Sequence, residues 1–365
     1  MILIAATMGN ITNDTFTTFD LVTDTQYVII IECTSDVGTI LAFMGVITNI
    51  INIVTFIDMG LNDGVTVSFL ALAIFDLTYL IASLSLGIAV VFYVTEMRSS
   101  VRFQIEPYGV CVFFGSCMVF ISLTNVLTTT FLAVARCMCV SRPLQFKNTF
   151  TRKRAIYFMI GVAIFSVTIY LPILVNMGMV QKFDTRTNTS RPSLWISPSR
   201  EFIKEIVWLV IDMVLPVTTQ LIIIVCVVIM VNSLQKASLF RQSTVMVTGK
   251  LFNDDVKRNN KVSNASDYVS TGEKLTGKDL LVVQQVVLIS VVYIICNTPK
   301  ILISIATTIE PEFTIGKAYS KLYMCANGFR KQFEILNAAV NLIIYYNYNT
   351  KFRSKLHLSL SCKNV

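Results

Sequence analysis

VTVSFLALAIFDLTYLIASLSLGIAVVFY, residues 65–93, holds one charged side chain, Asp76, in a run long enough to cross a bilayer. About 20 apolar residues in a helix span the ~30 Å hydrocarbon core. Five further runs share this character: Ile40 to Phe56, Tyr108 to Ala135, Ala155 to Val180, Ile206 to Leu234 and Leu280 to Pro299. A seventh, Leu322 to Tyr346, is weaker, because Arg330, Lys331 and Glu334 lie in its first half. Hydrocarbon offers no partner to a free backbone N–H or C=O, so each run must be a helix, which satisfies itself. Closed barrels read instead as alternating strands of about ten residues. The expected fold is an all-α membrane protein, a seven-transmembrane helix bundle over 37–346.

Composition agrees. The chain is 54% hydrophobic and 14% charged, whereas soluble domains carry about 25% charged residues. Its one histidine, His357, excludes His-based triads and most His-containing metal sites. There is no Gly-rich phosphate loop, and Cys137 with Cys139 lacks metal-site spacing, so neither an enzyme nor a metal centre is expected.

The net charge of +8 follows topology rather than suggesting nucleic acid. No Lys or Arg precedes Arg98, while Arg142 to Arg154, the loop at 235–278 and the tail at 347–365 are basic. The positive-inside rule therefore places the 1–36 tail outside the plasma membrane. Sequons at Asn10, Asn13 and Asn188 fall on that same side. The segment after the fourth span dissents, carrying Lys182, Arg186, Arg191, Arg200 and Lys204. The start, Met1 to Ala6, is too short for a cleaved signal peptide. The 235–278 loop lacks a sustained apolar period and reads as a flexible cytoplasmic loop. Near the end, Lys351 to Leu360 mixes basic and apolar residues as an inner-leaflet amphipathic helix would. Cys362 behind it is a palmitoylation candidate, an unmodified thiol being the alternative.

The third span ends Thr130-Phe-Leu-Ala-Val-Ala-Arg136, with Cys111 25 residues before the Arg and Pro143 seven after it. Asn49, the Leu72-Ala-Ile-Phe-Asp76-Leu77 stretch, Pro216, Cys296-Asn297-Thr298-Pro299 and Asn341-Leu-Ile-Ile-Tyr345 follow in register on the other spans. Together these resemble the rhodopsin-like G-protein-coupled receptors over the whole bundle.

That resemblance implies an extracellular ligand, a heterotrimeric G protein and arrestin as partners. It implies a coupling Arg at Arg136, held by Asp279 and accompanied by Pro143 and Tyr345. Asp76, Asn125, Asn337, Asn341 and Asn49 would form a polar core, with a sodium ion beside Asp76; a merely structural, hydrogen-bonded Asp is the alternative. Pro216, Pro299 and Asn297 would form a hinge, and Cys111 would seek a disulfide. The loop after the fourth span holds no Cys, so Cys33 and Cys325 are the remaining partners, against a free buried thiol.

Departures are equally plain. Ala135 replaces the family's Asp before the Arg, Asn297 its Trp, and Leu342 its last Pro. They leave open a decoy receptor that binds without signalling. A seven-helix channel or transporter is the other alternative, since intramembrane charges also line pathways.

Charged residues in the outer half are costly to bury unpaired, so they either pair with one another or meet a polar ligand in a pocket there. Asp212, Lys300, Lys331 and Glu334 are the candidates, with Lys300 and Glu334 as a natural pair. Met118 stands where amine receptors carry an Asp, which disfavours amines. A peptide or small polar ligand fits best, and the departures resemble divergent invertebrate orphan, neuropeptide or chemosensory receptors.

Overall fold

The computed structural model describes residues 21–99, 101–141, 146, 150–184, 189–233, 235, 277–314 and 317–361. The first helix, α1, runs Asp24–Met59, followed by α2 at Gly64–Arg98, α3 at Pro107–Ser141 and α4 at Arg152–Val175. A hairpin follows, β1 at Met177–Asp184 and β2 at Thr189–Ile196, antiparallel with Met177 opposite Ile196. Then come α5 at Ser199–Trp208, a π-helical segment at Leu209–Val214, α6 at 215–233 and α7 at Gly277–Ile309. The chain closes with α8 at Ser320–Ala339, α9 at Asn341–Tyr348 and α10 at Thr350–Ser361.

Six helical spans are long and apolar enough to cross a membrane: α1 to α4, Ile206–Ser233 and Gln284–Ile309. The bundle is inside-out in the sense a lipid solvent requires. On α1, Ile40, Phe43, Ile47, Ile50, Val54 and Ile57 form an exposed stripe at helical spacing, while Asn49, Asn52 and Thr55 are buried. A soluble helix would show the reverse. The protein is a multi-pass membrane protein.

Local chemistry sets the helix ends. Thr23 and Gln26 form a capping box that opens α1. α1 thus begins at Asp24, within the stretch expected as the outer tail. Asp63 caps α2 by accepting from Val65 N at 3.0 Å and Thr66 N at 2.7 Å. Between them Gly60 adopts φ 82°, a conformation open to glycine, which ends α1 and reverses the chain.

The seventh span is split at Val340, although the proline expected there is Leu342. Ile343 N turns to Val340 O at 3.1 Å, so it cannot serve the carbonyl of Ala339. Donors from α1 fill the gap: Thr48 Oγ1 reaches Ala339 O at 3.2 Å, and Asn49 Nδ2 reaches Ala338 O at 2.8 Å. Gly45 permits this approach, because a Cβ there would lie 3.0 Å from Ala339 Cβ and 2.9 Å from Leu80 Cδ1.

At the Arg136 end, Phe56, Phe69, Tyr345 and Phe352 pack ring on ring, with Phe56 and Tyr345 centroids 5.0 Å apart. Fully buried Phe352 pins α10 to the bundle. The architecture is the expected all-α bundle, with one two-stranded sheet between α4 and α5.

Candidate functional site

Asp76 sits on α2, 1% exposed, and its two oxygens accept from Asn125 Nδ2 at 3.0 Å and Asn341 Nδ2 at 2.8 Å. Elements α2, α3 and α9 thus meet at one carboxylate. The side-chain oxygen of Asn125 is buried with no hydrogen-bond partner. Asn337 makes no hydrogen bond to Asp76; it lines an adjoining cavity of about 30 Å³ with Tyr79, Asn125, Asn297 and Glu334. That volume holds a water or two. Asn49 is also placed apart from Asp76, spending its amide on the carbonyls of Gly45 and Ala338.

Beside this core, Pro299 lies inside α7, which continues through it. Asn297 Nδ2 donates to Gln220 Oε1 at 3.0 Å, and Gln220 Nε2 donates to Ile294 O and to Thr298 Oγ1, both at 3.3 Å. A proline lacks the N–H that continues the helix ladder and pushes the preceding turn open. Here a glutamine from α6 reaches the Ile294 carbonyl in the turn before the proline, next to the Ile295 carbonyl that Pro299 cannot serve. Gln220 stands four residues after Pro216, on the same face of α6, and that pairing of positions was the signal available in the sequence.

The charged residues form a connected chain. Lys300 Nζ lies 2.9 Å from Asp212 Oδ1, with side chains 5% and 8% exposed. Lys300 therefore pairs with Asp212, not with Glu334. The π-helical turn explains why: its extra residue rotates Asp212 toward α7, where Ser304 Oγ also donates to the Asp212 carbonyl at 2.8 Å. Arg330 Nη1 then stands 3.9 Å from Asp212 and 3.6 Å from Glu334, and Tyr79 OH donates to Glu334 at 2.6 Å. Of the charges that weakened the seventh span as an apolar run, Arg330 and Glu334 are thus partnered across α2, α8 and the π segment. Arg330 and Tyr79 were not singled out from sequence, because neither residue type nor spacing says which way a helix face turns.

Two cavities open at the hairpin end, and Lys331 lines both. One, between α1, α2 and α8, includes Met118 and Gln332. The other, walled by Arg200, Tyr170, Trp208, Asp212, Tyr323 and Arg330, has a volume of about 90 Å³, three times that of the cavity beside Asn125.

Cys111 is a buried free thiol, as is Cys325, and Cys33 is exposed and free, which is the second of the two arrangements considered for Cys111. Polar contacts tether the hairpin instead. Glu106 N donates to Pro192 O at 3.0 Å, and Leu194 N donates to Glu106 Oε2 at 2.7 Å. Buried Glu96 takes Arg191 at 2.6 Å and Arg102 at 3.1 Å. The basic residues that dissented from the charge rule include Arg191 in this clamp and Lys182, which donates to Leu194 O at 2.9 Å.

At the opposite end, half-buried Arg136 lies in the last turns of α3. Asp279 opens α7, but its side chain lies outside the described residues, as do Pro143, Asn10, Asn13, Asn188 and Cys362. Tyr345 is fully buried, with its hydroxyl lacking a hydrogen-bond partner.

Against individual characterised proteins the chain finds no significant match. A family-wide sequence model, 7 transmembrane receptor (rhodopsin family), matches residues 49–345. The match begins at the asparagine that holds the α8–α9 break and ends at the tyrosine in the aromatic cluster, so it takes in the whole polar core. The chain belongs to the rhodopsin family of seven-transmembrane receptors.

Proposed function

We propose that this receptor sits in the plasma membrane with its amino terminus outside, binds an extracellular peptide or small polar ligand, and activates a heterotrimeric G protein. Arrestin is the further partner that this mode of signalling implies. The observation that carries the reading is the buried chain from Lys300 through Asp212, Arg330 and Glu334 to Tyr79. It begins at the hairpin-end cavity and ends against the small cavity beside Asn125 and Asn297. A ligand that takes a partner from this chain changes the balance of charges in a low-dielectric core.

The response available to the bundle is movement about Pro299. Asn297 and Gln220 link α6 to the turn of α7 before Pro299 by side-chain hydrogen bonds, which exchange at lower cost than backbone ladder bonds. Outward displacement of the Arg136 end of α7 would release Arg136 from Asp279 and expose it to the G protein. The partnerless Tyr345 hydroxyl gains a partner in such a rearranged state.

Sodium is bound by oxygen donors, and the Asp76 carboxylate and the partnerless Asn125 oxygen fit that requirement. These residues would hold the ion, which would neutralise the carboxylate within the bundle.

The test is a ligand screen in cells carrying a promiscuous G protein, with Arg136→Ala as control. Activation lost in Arg136→Ala supports the mechanism, and a response that survives the substitution overturns it. Tags at the two ends reporting the same side of the membrane would overturn the topology.

A further inference from the structure

We infer that the cavity walled by α3, α4, α5 and α8 recognises the acidic head of an organic anion, with Arg200, Arg330 and Lys331 as its recognition groups. The inference rests on the receptor reading above and names the ligand class of that site.

The charge balance carries it. Among the described residues, Arg200, Arg330 and Lys331 line this cavity with one acid, Asp212, and behind them Lys300 pairs with Asp212 and Glu334 with Arg330. Both acids are engaged: Asp212 with Lys300 at 2.9 Å, and Glu334 with Tyr79 at 2.6 Å and Arg330 at 3.6 Å. Among the described residues, two positive charges therefore remain over. Arg200 is the clearest of them. It is 2% exposed, its Nε and Nη1 have no hydrogen-bond partner, and its Nη2 reaches only the sulfur of Met177 at 4.0 Å. A buried guanidinium so placed is costly unless an acceptor arrives. Arg330 likewise keeps a buried Nε without a partner. Lys331 makes no ion pair among the described residues.

The acceptor that suits these groups is a carboxylate. A guanidinium presents parallel N–H donors at the spacing of carboxylate oxygens, and Lys331 adds a point charge from α8. Besides Asp212 and Asn327, the rest of the wall is mainly apolar and aromatic, with Tyr170, Ile173, Trp208 and Tyr323. The cavity thus fits a hydrophobic body ending in an acid. A cationic ligand would need an acid of its own, and Asp212 is already taken by Lys300.

The test uses the purified full chain in detergent and follows thermal unfolding with a series of phenylalkanoates of increasing chain length, each beside its neutral primary amide. The expected result is that at least one acid raises the melting temperature and its amide does not. Arg200→Gln should melt higher than the unsubstituted receptor when ligand-free, and should need about tenfold more acid for the same shift or lose the shift entirely. Arg200→Lys should recover part of it. Acids and amides acting alike, or no acid in the series acting, overturns the inference. Arg200→Gln melting lower while keeping the full acid response removes Arg200 from the site and overturns its assigned role. The receptor reading fails separately: an acid that stabilises the protein yet never promotes nucleotide exchange in cells leaves the anion site standing and removes the coupling. Exchange driven through Arg136 by cationic or neutral ligands alone does the opposite.

Discussion

Lys300 shows what one intramembrane charge demands. Its ammonium and the Asp212 carboxylate are both almost fully buried, so the loss of either leaves the other charged in a medium that solvates it poorly. Removing one member of such a pair costs about 3–5 kcal/mol, whereas removing both is far milder. Lys300→Ala should therefore lower the melting temperature of the purified receptor strongly. The double variant Lys300→Met with Asp212→Leu should recover most of that loss. Equal damage from single and double variants would show that the pair is not the relevant unit. Asp76 presents a different case, since both of its oxygens already accept amide hydrogens. If it also holds sodium, the melting temperature should rise when sodium chloride replaces the chloride of a bulky organic cation, and Asp76→Asn should abolish that difference.

Helices in this protein are shaped by neighbours as much as by their own residues. The seventh span breaks at Val340 without a proline because Thr48 and Asn49 of α1 supply donors to the carbonyls that the break releases. Leaving a buried carbonyl without a partner costs about 1–3 kcal/mol. Asn49→Leu should destabilise the receptor by about that amount and accelerate amide hydrogen exchange around Asn341, more than Asn52→Leu does; equal effects at the two positions would discount the capture. The hairpin is a second instance. Glu96 and Glu106 tie it to the mouth of the bundle, where a disulfide was one of the two arrangements considered. Glu96→Gln should speed exchange of the β2 amides and weaken further as salt is added, while Cys111→Ser should leave the hairpin unchanged. A hairpin loosened by Cys111→Ser, or insensitive to Glu96→Gln, would contradict the clamp.

Over the whole molecule, two ends of different chemistry face each other across the membrane. One carries cavities with excess positive charge, and the other an aromatic cluster, Arg136 and the start of α7. Only one restraint on Arg136 is expected, because Ala135 replaces the usual acid. Asp279→Ala should accordingly raise ligand-independent signalling several-fold in a cell assay, and unchanged basal activity would count against the lock. Membrane insertion and helix count were legible in the chain alone. Transfer of apolar side chains and self-satisfied backbone into lipid depends on local composition, and Val65 to Tyr93 needs no neighbour to qualify. The register of Asp76, Arg136, Pro299 and Asn341 was legible too, since position along a span survives without knowledge of packing. Which groups pair was settled only in three dimensions. A π turn rotates Asp212 toward Lys300, Asn49 turns to a broken helix rather than to Asp76, and Cys111 stays a thiol while glutamates hold the hairpin. Pairing depends on the rotation of each helix about its axis and on what faces it from the next, and a linear pattern of residues carries neither.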